Sequence, residues 1–121
     1  MVENVYRGTK EYALVYAELI TAARYRGMVT YQEVAKLIGF PLEGNLMGSR
    51  IGQLLGEISE DEVNKGRPML SAIVINTTGT PGPGFFALAK QLVKLKDGDD
   101  EKKFWRSELE AVHETWKVVL K

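Results

Sequence analysis

Residues 28–86 decide the expected fold, and their three main segments read MVTYQEVAKLIG (28–39), GSRIGQLLGEI (48–58) and RPMLSAIVINTTGTPGPGFF (67–86). The first predicts a short strand and then a capped helix, because Thr30 and Glu33 have the spacing of a capping box. The second predicts a helix that contains three glycines. The third predicts a β-ribbon with a buried strand at 70–75, followed by a loop, because 76–84 is too rich in Gly and Pro for a helix or a central strand.

Apolar residues at helical spacing predict further helices on both sides of this stretch. Pro41 and Gly44 predict a turn between the two helices of the central stretch. The expected helices are 10–26 with Thr9 as its cap, about 46–58, a brief one from Ser59 to near Gly66, 85–96, and a final one that starts after Asp99 or Asp100.

These elements predict a mainly α protein with a small β-ribbon (α+β), in one domain spanning residues 1–121. The order helix, strand, helix, helix, ribbon and loop is that of a winged helix-turn-helix with additional flanking helices, with 28–86 as its core. The C-terminal helix, 99–121, is expected to pack on the back of the domain through an apolar seam. A homodimer through the same seam is the alternative. The seam comprises Trp105, Leu109, Val112 and Trp116.

Composition restricts the chemistry. The chain has 121 residues with sixteen basic and sixteen acidic side chains, no cysteine and one histidine, His113. Disulfides, thiolate metal sites and cysteine nucleophiles are therefore excluded. We expect no cofactor, no metal and no membrane segment, and a cytoplasmic protein. A zero net charge also means that any surface for nucleic acid must be a local basic patch.

The helix at 46–58 is the candidate recognition helix. Opposite its apolar face it would present Ser49, Arg50, Gln53 and Glu57. Arg and Gln side chains suit guanine and adenine edges in the major groove. The alternative is an ordinary solvated helix face.

Gly48, Gly52 and Gly56 fall on one face of this helix at intervals of four. Each glycine inside a helix costs about 0.5–1 kcal/mol relative to alanine. The spacing therefore predicts that something approaches the backbone closely. That partner is either DNA or the first helix.

The loop after the buried strand is the candidate wing. Thr77, Thr78 and Thr80 offer hydroxyls and backbone amides to phosphates, but the loop has no Lys or Arg. Lys36 is expected to lie near a phosphate. The alternative is a rigid turn that docks Phe85 and Phe86 in the core.

Two acidic clusters and one serine complete the candidates. Because acidic residues stabilise helix starts, both clusters are expected to be solvated caps. Ser71 and His113 lack the motif of a hydrolase, so no catalytic residue is expected. The clusters are Glu57, Glu60, Asp61 and Glu62, and Asp97, Asp99, Asp100 and Glu101.

VTYQEVAKLIG (29–39) and SRIGQLLG (49–56) are similar to the DNA-binding domain of alkylguanine-DNA alkyltransferases and alkyltransferase-like proteins. The resemblance covers about half of the chain. It implies that Tyr31 helps to rotate a nucleotide out of the duplex and that Arg50 enters the vacated space. The family's Pro-Cys-His-Arg motif is met here by Pro68-Met69-Leu70-Ser71, which lacks the acceptor cysteine. Alkyl transfer is therefore excluded.

The sequence thus predicts a non-enzymatic protein that binds double-stranded DNA, as a regulator or as the targeting subunit of a larger system. One alternative is a winged helix that serves as a protein-protein interaction module. Another is recognition of a flipped or modified base without alkyl transfer.

Overall fold

The structure is a computed structural model that describes residues 2–40 and 45–118. It is mainly helical with one small parallel sheet, which confirms the expected mainly α composition. The expected turn at Pro41 and Gly44 lies outside the described residues. The elements are α1 (Lys10–Arg24), β1 (Val29–Thr30), α2 (Tyr31–Leu37), α3 (Asn45–Asn64), a 3₁₀ helix (Leu70–Ile73), β2 (Val74–Ile75), α4 (Pro83–Gln91) and α5 (Glu101–Trp116).

Three helix starts follow the local sequence signals. The Thr9 side chain accepts a hydrogen bond from the Tyr12 amide at 3.2 Å and caps α1. Thr30 and Glu33 form the complete capping box of α2, with bonds of 3.1 and 3.3 Å. Asp100 caps α5. These three caps are confirmed, because each depends only on residues three positions apart.

Two helix ends differ from expectation. α1 stops at Arg24, because Arg26 adopts a left-handed φ of 57° and the Gly27 amide turns back to the Ala22 carbonyl at 2.8 Å. α4 stops at Gln91, just before Val93, which has a left-handed φ of 61°. Left-handed backbone cannot continue a right-handed helix.

α3 is a single helix of 20 residues, so the expected break at Ser59 is wrong. Ser59 and Glu62 have capping-box spacing, but neither side chain caps a helix. The Ser59 hydroxyl bonds to Ser71, and the Glu62 carboxylate accepts hydrogen bonds from Tyr16 and Arg67. Tertiary partners therefore take up the groups that would otherwise stop the helix.

The expected strand at 70–75 is wrong over its first four residues, which form the 3₁₀ helix. All four are buried, and a short apolar run is compatible with either conformation. Only β2 is extended, and it pairs in parallel with β1, with Val29 opposite Val74 and Thr30 opposite Ile75. This parallel pair stands where a β-ribbon was expected. It ties the start of α2 to the end of the 3₁₀ helix.

α5 packs against α1 and the 3₁₀ helix of the same chain. The Trp105 indole donates to the Ala72 carbonyl at 2.9 Å and Val112 is fully buried, so both belong to the core of one chain. A homodimer seam through these two side chains is therefore wrong. Leu109 and Trp116 are partly buried against the same core. Across residues 2–40 and 45–118, no helix combines the length and apolar character needed to cross a bilayer.

Candidate functional site

A cavity of about 730 Å³ lies among α2, α3 and the chain that leads into α4. Its volume is typical of small-molecule pockets. None of the described residues that line it is charged, so it suits a neutral group. The lining includes glycines of α3 (Gly48, Gly52, Gly56), apolar side chains (Leu55, Phe85, Leu88) and polar side chains (Tyr31, Gln32, Gln53, Ser71, Asn76, Thr77, Gln91).

The glycines of α3 line this cavity and do not pack against α1. A β-carbon on Gly48 or Gly52 would meet no described atom within 4 Å. A β-carbon on Gly56 would make ordinary contacts with Val2 at 3.6 Å and Leu88 at 3.8 Å. Close packing of the first helix, one of the two expected explanations, is therefore wrong for the described residues. Approach of an external ligand remains a prediction.

Tyr31 connects α2 to the chain entering α4. Its hydroxyl accepts a hydrogen bond from the Gly82 amide at 3.2 Å. Burial raises the pKa of Tyr31, and the bond from Gly82 offsets only part of that rise. The phenol therefore stays protonated at neutral pH. Gly82 is also the N-cap of α4, so this one contact helps to set the position of the helix that forms a cavity wall.

Residues 76–80 form a tight turn closed by Asn76. The backbone amide of Asn76 donates a hydrogen bond to the Thr80 carbonyl at 2.9 Å. The side-chain oxygen of Asn76 accepts hydrogen bonds from the backbone amide and the hydroxyl of Thr78. The Thr78 and Thr80 hydroxyls also lie 3.1 Å apart. These two hydroxyls are thus engaged within the turn, whereas Thr77 is exposed and lines the cavity. Beyond this turn Phe85 is buried and Phe86 is partly buried against the core, whereas use of the turn as a wing stays a prediction.

Ser71 belongs to the cavity lining, whereas the preceding Met69 and Leu70 are fully buried in the core. Its amide donates to the Ser59 hydroxyl at 3.1 Å, and that hydroxyl donates to the Ser71 oxygen at 2.7 Å. Ser59 thereby fixes the position of the Ser71 hydroxyl. No local sequence pattern indicates this pair, because the two serines lie on different elements.

Arg50 and Ser49 are exposed on α3 near its start, and Lys36 is exposed in the last turn of α2. The Arg50 guanidinium lies over the Phe40 ring, 5.7 Å from its centre. Arg50 is not part of the cavity lining. Successive residues of an α-helix are about 100° apart around its axis, so Arg50 lies roughly 160° around α3 from Gly52. Among the described residues, neither Arg50 nor Lys36 joins an ion pair.

Gln53 and Glu57 do not form the free surface that was expected. The side-chain amide of Gln53 donates hydrogen bonds to the backbone carbonyl of Glu3 at 2.8 Å and to the carboxylate of Glu57 at 3.0 Å. Glu57 is fully buried, because residues 2–7 lie across this part of α3. Its carboxylate accepts hydrogen bonds from three successive backbone amides, those of Val5, Tyr6 and Arg7. The exposed stretch at the start of α3 therefore ends near Gln53.

The expectation that the first acidic cluster is a solvated cap is wrong. Glu60 and Asp61 both bond to Arg7, at 2.8 and 3.0 Å. Burial alone would raise the pKa of Glu60, but the Val2 amide and Arg7 outweigh it, and the pKa is lowered. Burial would also raise the pKa of Asp61, but hydrogen bonds from Tyr12 and Arg7 outweigh this effect, and the pKa is lowered. These acids attach residues 2–7 and α1 to α3.

The second acidic cluster is exposed and behaves as expected at Asp100, the cap of α5. His113 bonds to the Gly27 carbonyl at 3.0 Å and Ser71 bonds to Ser59, so this serine and histidine do not pair. In the described parts of the chain, no group of three or more His, Asp and Glu side chains is placed to hold a metal ion.

The candidate site therefore consists of a neutral cavity and the open glycine face of α3, and the exposed Arg50 and Lys36 lie outside the cavity lining. Compared with known protein families, curated proteins and solved structures, the chain matches no family model, no curated protein and no solved structure.

Proposed function

We propose that this chain binds double-stranded DNA without catalysis, with α2 and α3 acting as a helix-turn-helix of the winged-helix type. In this proposal the exposed start of α3 enters the major groove, and the turn at 76–80 serves as the wing. Tyr31 and Thr77 lie beside the groove, and Lys36 contacts a phosphate. A regulatory or targeting role would follow from such binding.

The observation that carries the proposal is the open glycine face of α3. Gly48 and Gly52 weaken the helix by about 0.5–1 kcal/mol each. No described atom lies within 4 Å of the position that a β-carbon on either glycine would occupy. An external surface that approaches the backbone of α3 explains why the chain has glycine here. The groove of DNA, read by a helix, is such a surface.

The number of exposed cations determines how strongly salt should weaken DNA binding. Arg50 on α3 and Lys36 on α2 are exposed cations outside the described ion pairs, so in this proposal few phosphates are neutralised. Two phosphate contacts predict only about a tenfold loss of affinity between about 50 and 200 mM salt. A strongly basic DNA-binding domain would lose far more.

The test is a fluorescence-anisotropy titration of labelled duplex DNA at these two salt concentrations. Arg50→Ala should weaken binding and reduce the salt slope by about one. Arg106→Ala is the matched control, because Arg106 is also an exposed helical arginine but lies on α5. No duplex binding by the wild type at low salt would refute the proposal. Salt-independent association with a protein partner would then favour an interaction module.

A second candidate function is the accommodation of an unpaired or modified base in the cavity. The observation that favours it is the uncharged lining, which combines apolar side chains with amide and hydroxyl groups. This combination suits a nucleobase, which is flat and neutral and has hydrogen-bonding edges. The corresponding test is whether a duplex with an unpaired base binds more tightly than the fully paired duplex.

A further inference from the structure

We infer that Ser71 is a hydrogen-bond donor that selects, within the cavity, a neutral base carrying an acceptor. This inference rests on the second candidate function, because it specifies what the cavity recognises. It assigns a specificity-determining role to a residue that the proposed DNA contacts do not include.

The inference follows from the protons of the two serines. Ser59 has one hydroxyl proton, and it is directed to the Ser71 oxygen at 2.7 Å. The Ser59 oxygen in turn accepts the Ser71 amide at 3.1 Å. The hydroxyl proton of Ser71 is not used in either bond. Among the described residues, no group accepts a hydrogen bond from it.

The Ser71 hydroxyl oxygen is thus partnered by Ser59, while its own proton can still be donated to one acceptor. The Ser71 residue is only 5% exposed, and it lines the cavity. Its proton is therefore available to a group that enters the cavity. Because Ser59 holds the Ser71 oxygen in place, the donor is fixed before a ligand arrives.

The rest of the lining specifies the other properties of the ligand. Leu55, Phe85 and Leu88 provide apolar contact, which favours a ring over a sugar or a phosphate. Gly48 and Gly52 leave open space along one wall, and a flat group would fit against their backbone. The absence of charge among the described lining residues favours a neutral ring. A nucleobase with an exposed ring nitrogen or carbonyl oxygen meets these requirements.

The experiment uses the full chain and three duplexes that differ at one position. One is fully paired, one carries an unpaired adenine, and one carries an unpaired indole, a flat apolar ring without an acceptor. The affinity ratio of the adenine duplex to the indole duplex is measured for the wild type, Ser71→Ala and Ser71→Cys. Using the ratio cancels contacts that both duplexes share.

We expect Ser71→Ala to lower this ratio by about three- to tenfold, the usual worth of one hydrogen bond. Binding of the fully paired duplex should not change. Ser71→Cys should give an intermediate loss, because a thiol is a weaker donor of similar shape. Thermal unfolding of each variant checks the fold, and the cysteine variant serves as the test if the alanine variant fails to fold.

Each outcome separates this inference from the proposed function. An unchanged ratio in a folded variant would overturn the role of Ser71 while leaving DNA binding intact. If no duplex binds, DNA binding fails, and the cavity is then tested with free adenosine by amide NMR shifts at Gly52 and Ser71. Adenosine shifts that Ser71→Ala abolishes would support the inference. No shift in the wild type would overturn it.

Discussion

The hydroxyl of Tyr31 accepts a hydrogen bond from the backbone amide of Gly82 at 3.2 Å, and this bond joins α2 to the N-terminus of α4. The two residues are 51 positions apart. A β-carbon on Gly82 would lie 3.4 Å from the same hydroxyl, so the backbone approaches Tyr31 closely. Tyr31 thus supports the cavity wall, in addition to any contact that it makes with DNA.

Tyr31→Phe should destabilise the protein by about 1 kcal/mol, because the Gly82 amide loses its partner. It should also speed hydrogen exchange at Gly82 and loosen the turn at 76–80. Urea denaturation and amide exchange measure these effects, with Tyr25→Phe as the control, since Tyr25 is 73% exposed. Unchanged exchange at Gly82 would show that the bond does not hold the turn.

Glu57→Gln should release residues 2–7 from α3. The carboxylate accepts three backbone amides, and a neutral amide side chain offers only one acceptor oxygen. Hydrogen bonds to charged groups are worth about 1.5–3 kcal/mol, so we expect a stability loss of about 2 kcal/mol. Glu110→Gln, an exposed change on α5, is the control. If limited proteolysis near Arg7 is no faster in Glu57→Gln, the attachment does not depend on this carboxylate.

Acid should destabilise the fold through Glu60 and Asp61. Their pKa values in the folded protein lie below the usual 4.5 and 3.8. A lowered folded pKa gives stability that is complete above the unfolded pKa and is lost as pH falls through the folded pKa. The urea concentration at the midpoint of unfolding should therefore stay constant above about pH 5 and decrease progressively below about pH 4.5.

Arg7→Gln tests the cause of this acid sensitivity. Without the guanidinium, the carboxyl pKa values should rise towards their usual range, so less stability remains to be lost at low pH. The variant should be less stable at neutral pH and show a flatter decline. A decline as steep as that of the wild type would place the acid sensitivity elsewhere in the chain.

Local signals in the sequence predicted most of the helices, because caps and apolar spacing act over a few residues. The capping box of Thr30 and Glu33 is an example. Ser59 has the same signal but bonds to Ser71, a partner on another element, so the expected helix break does not occur. The structural role of Asp61 was missed for the same reason, since Arg7 and Tyr12 reach it from about 50 positions away.

The candidate site could be predicted only in part. The glycine spacing on α3 is visible in the sequence, but whether another helix fills that face depends on tertiary packing. The exposure of Arg50 could likewise be expected from its place opposite the apolar face. The involvement of Ser71 in the cavity could not, because the apolar run around it forms a 3₁₀ helix where a strand was expected.

Gly52→Ala tests the central claim, that α3 keeps its glycine face for an external ligand. Alanine should stabilise the protein by about 0.5–1 kcal/mol, because its β-carbon meets no described atom and helix propensity improves. The same β-carbon extends towards the cavity and should weaken DNA binding by about tenfold. Ser107→Ala, an exposed change on α5, is the control for improved helix propensity alone.

The decisive measurement is therefore the DNA affinity of Gly52→Ala, taken together with its unfolding free energy. The account predicts a variant that is more stable than the wild type and binds duplex DNA more weakly, while Ser107→Ala keeps full affinity. A Gly52→Ala protein that is equally or more stable and binds DNA as well as the wild type would contradict it.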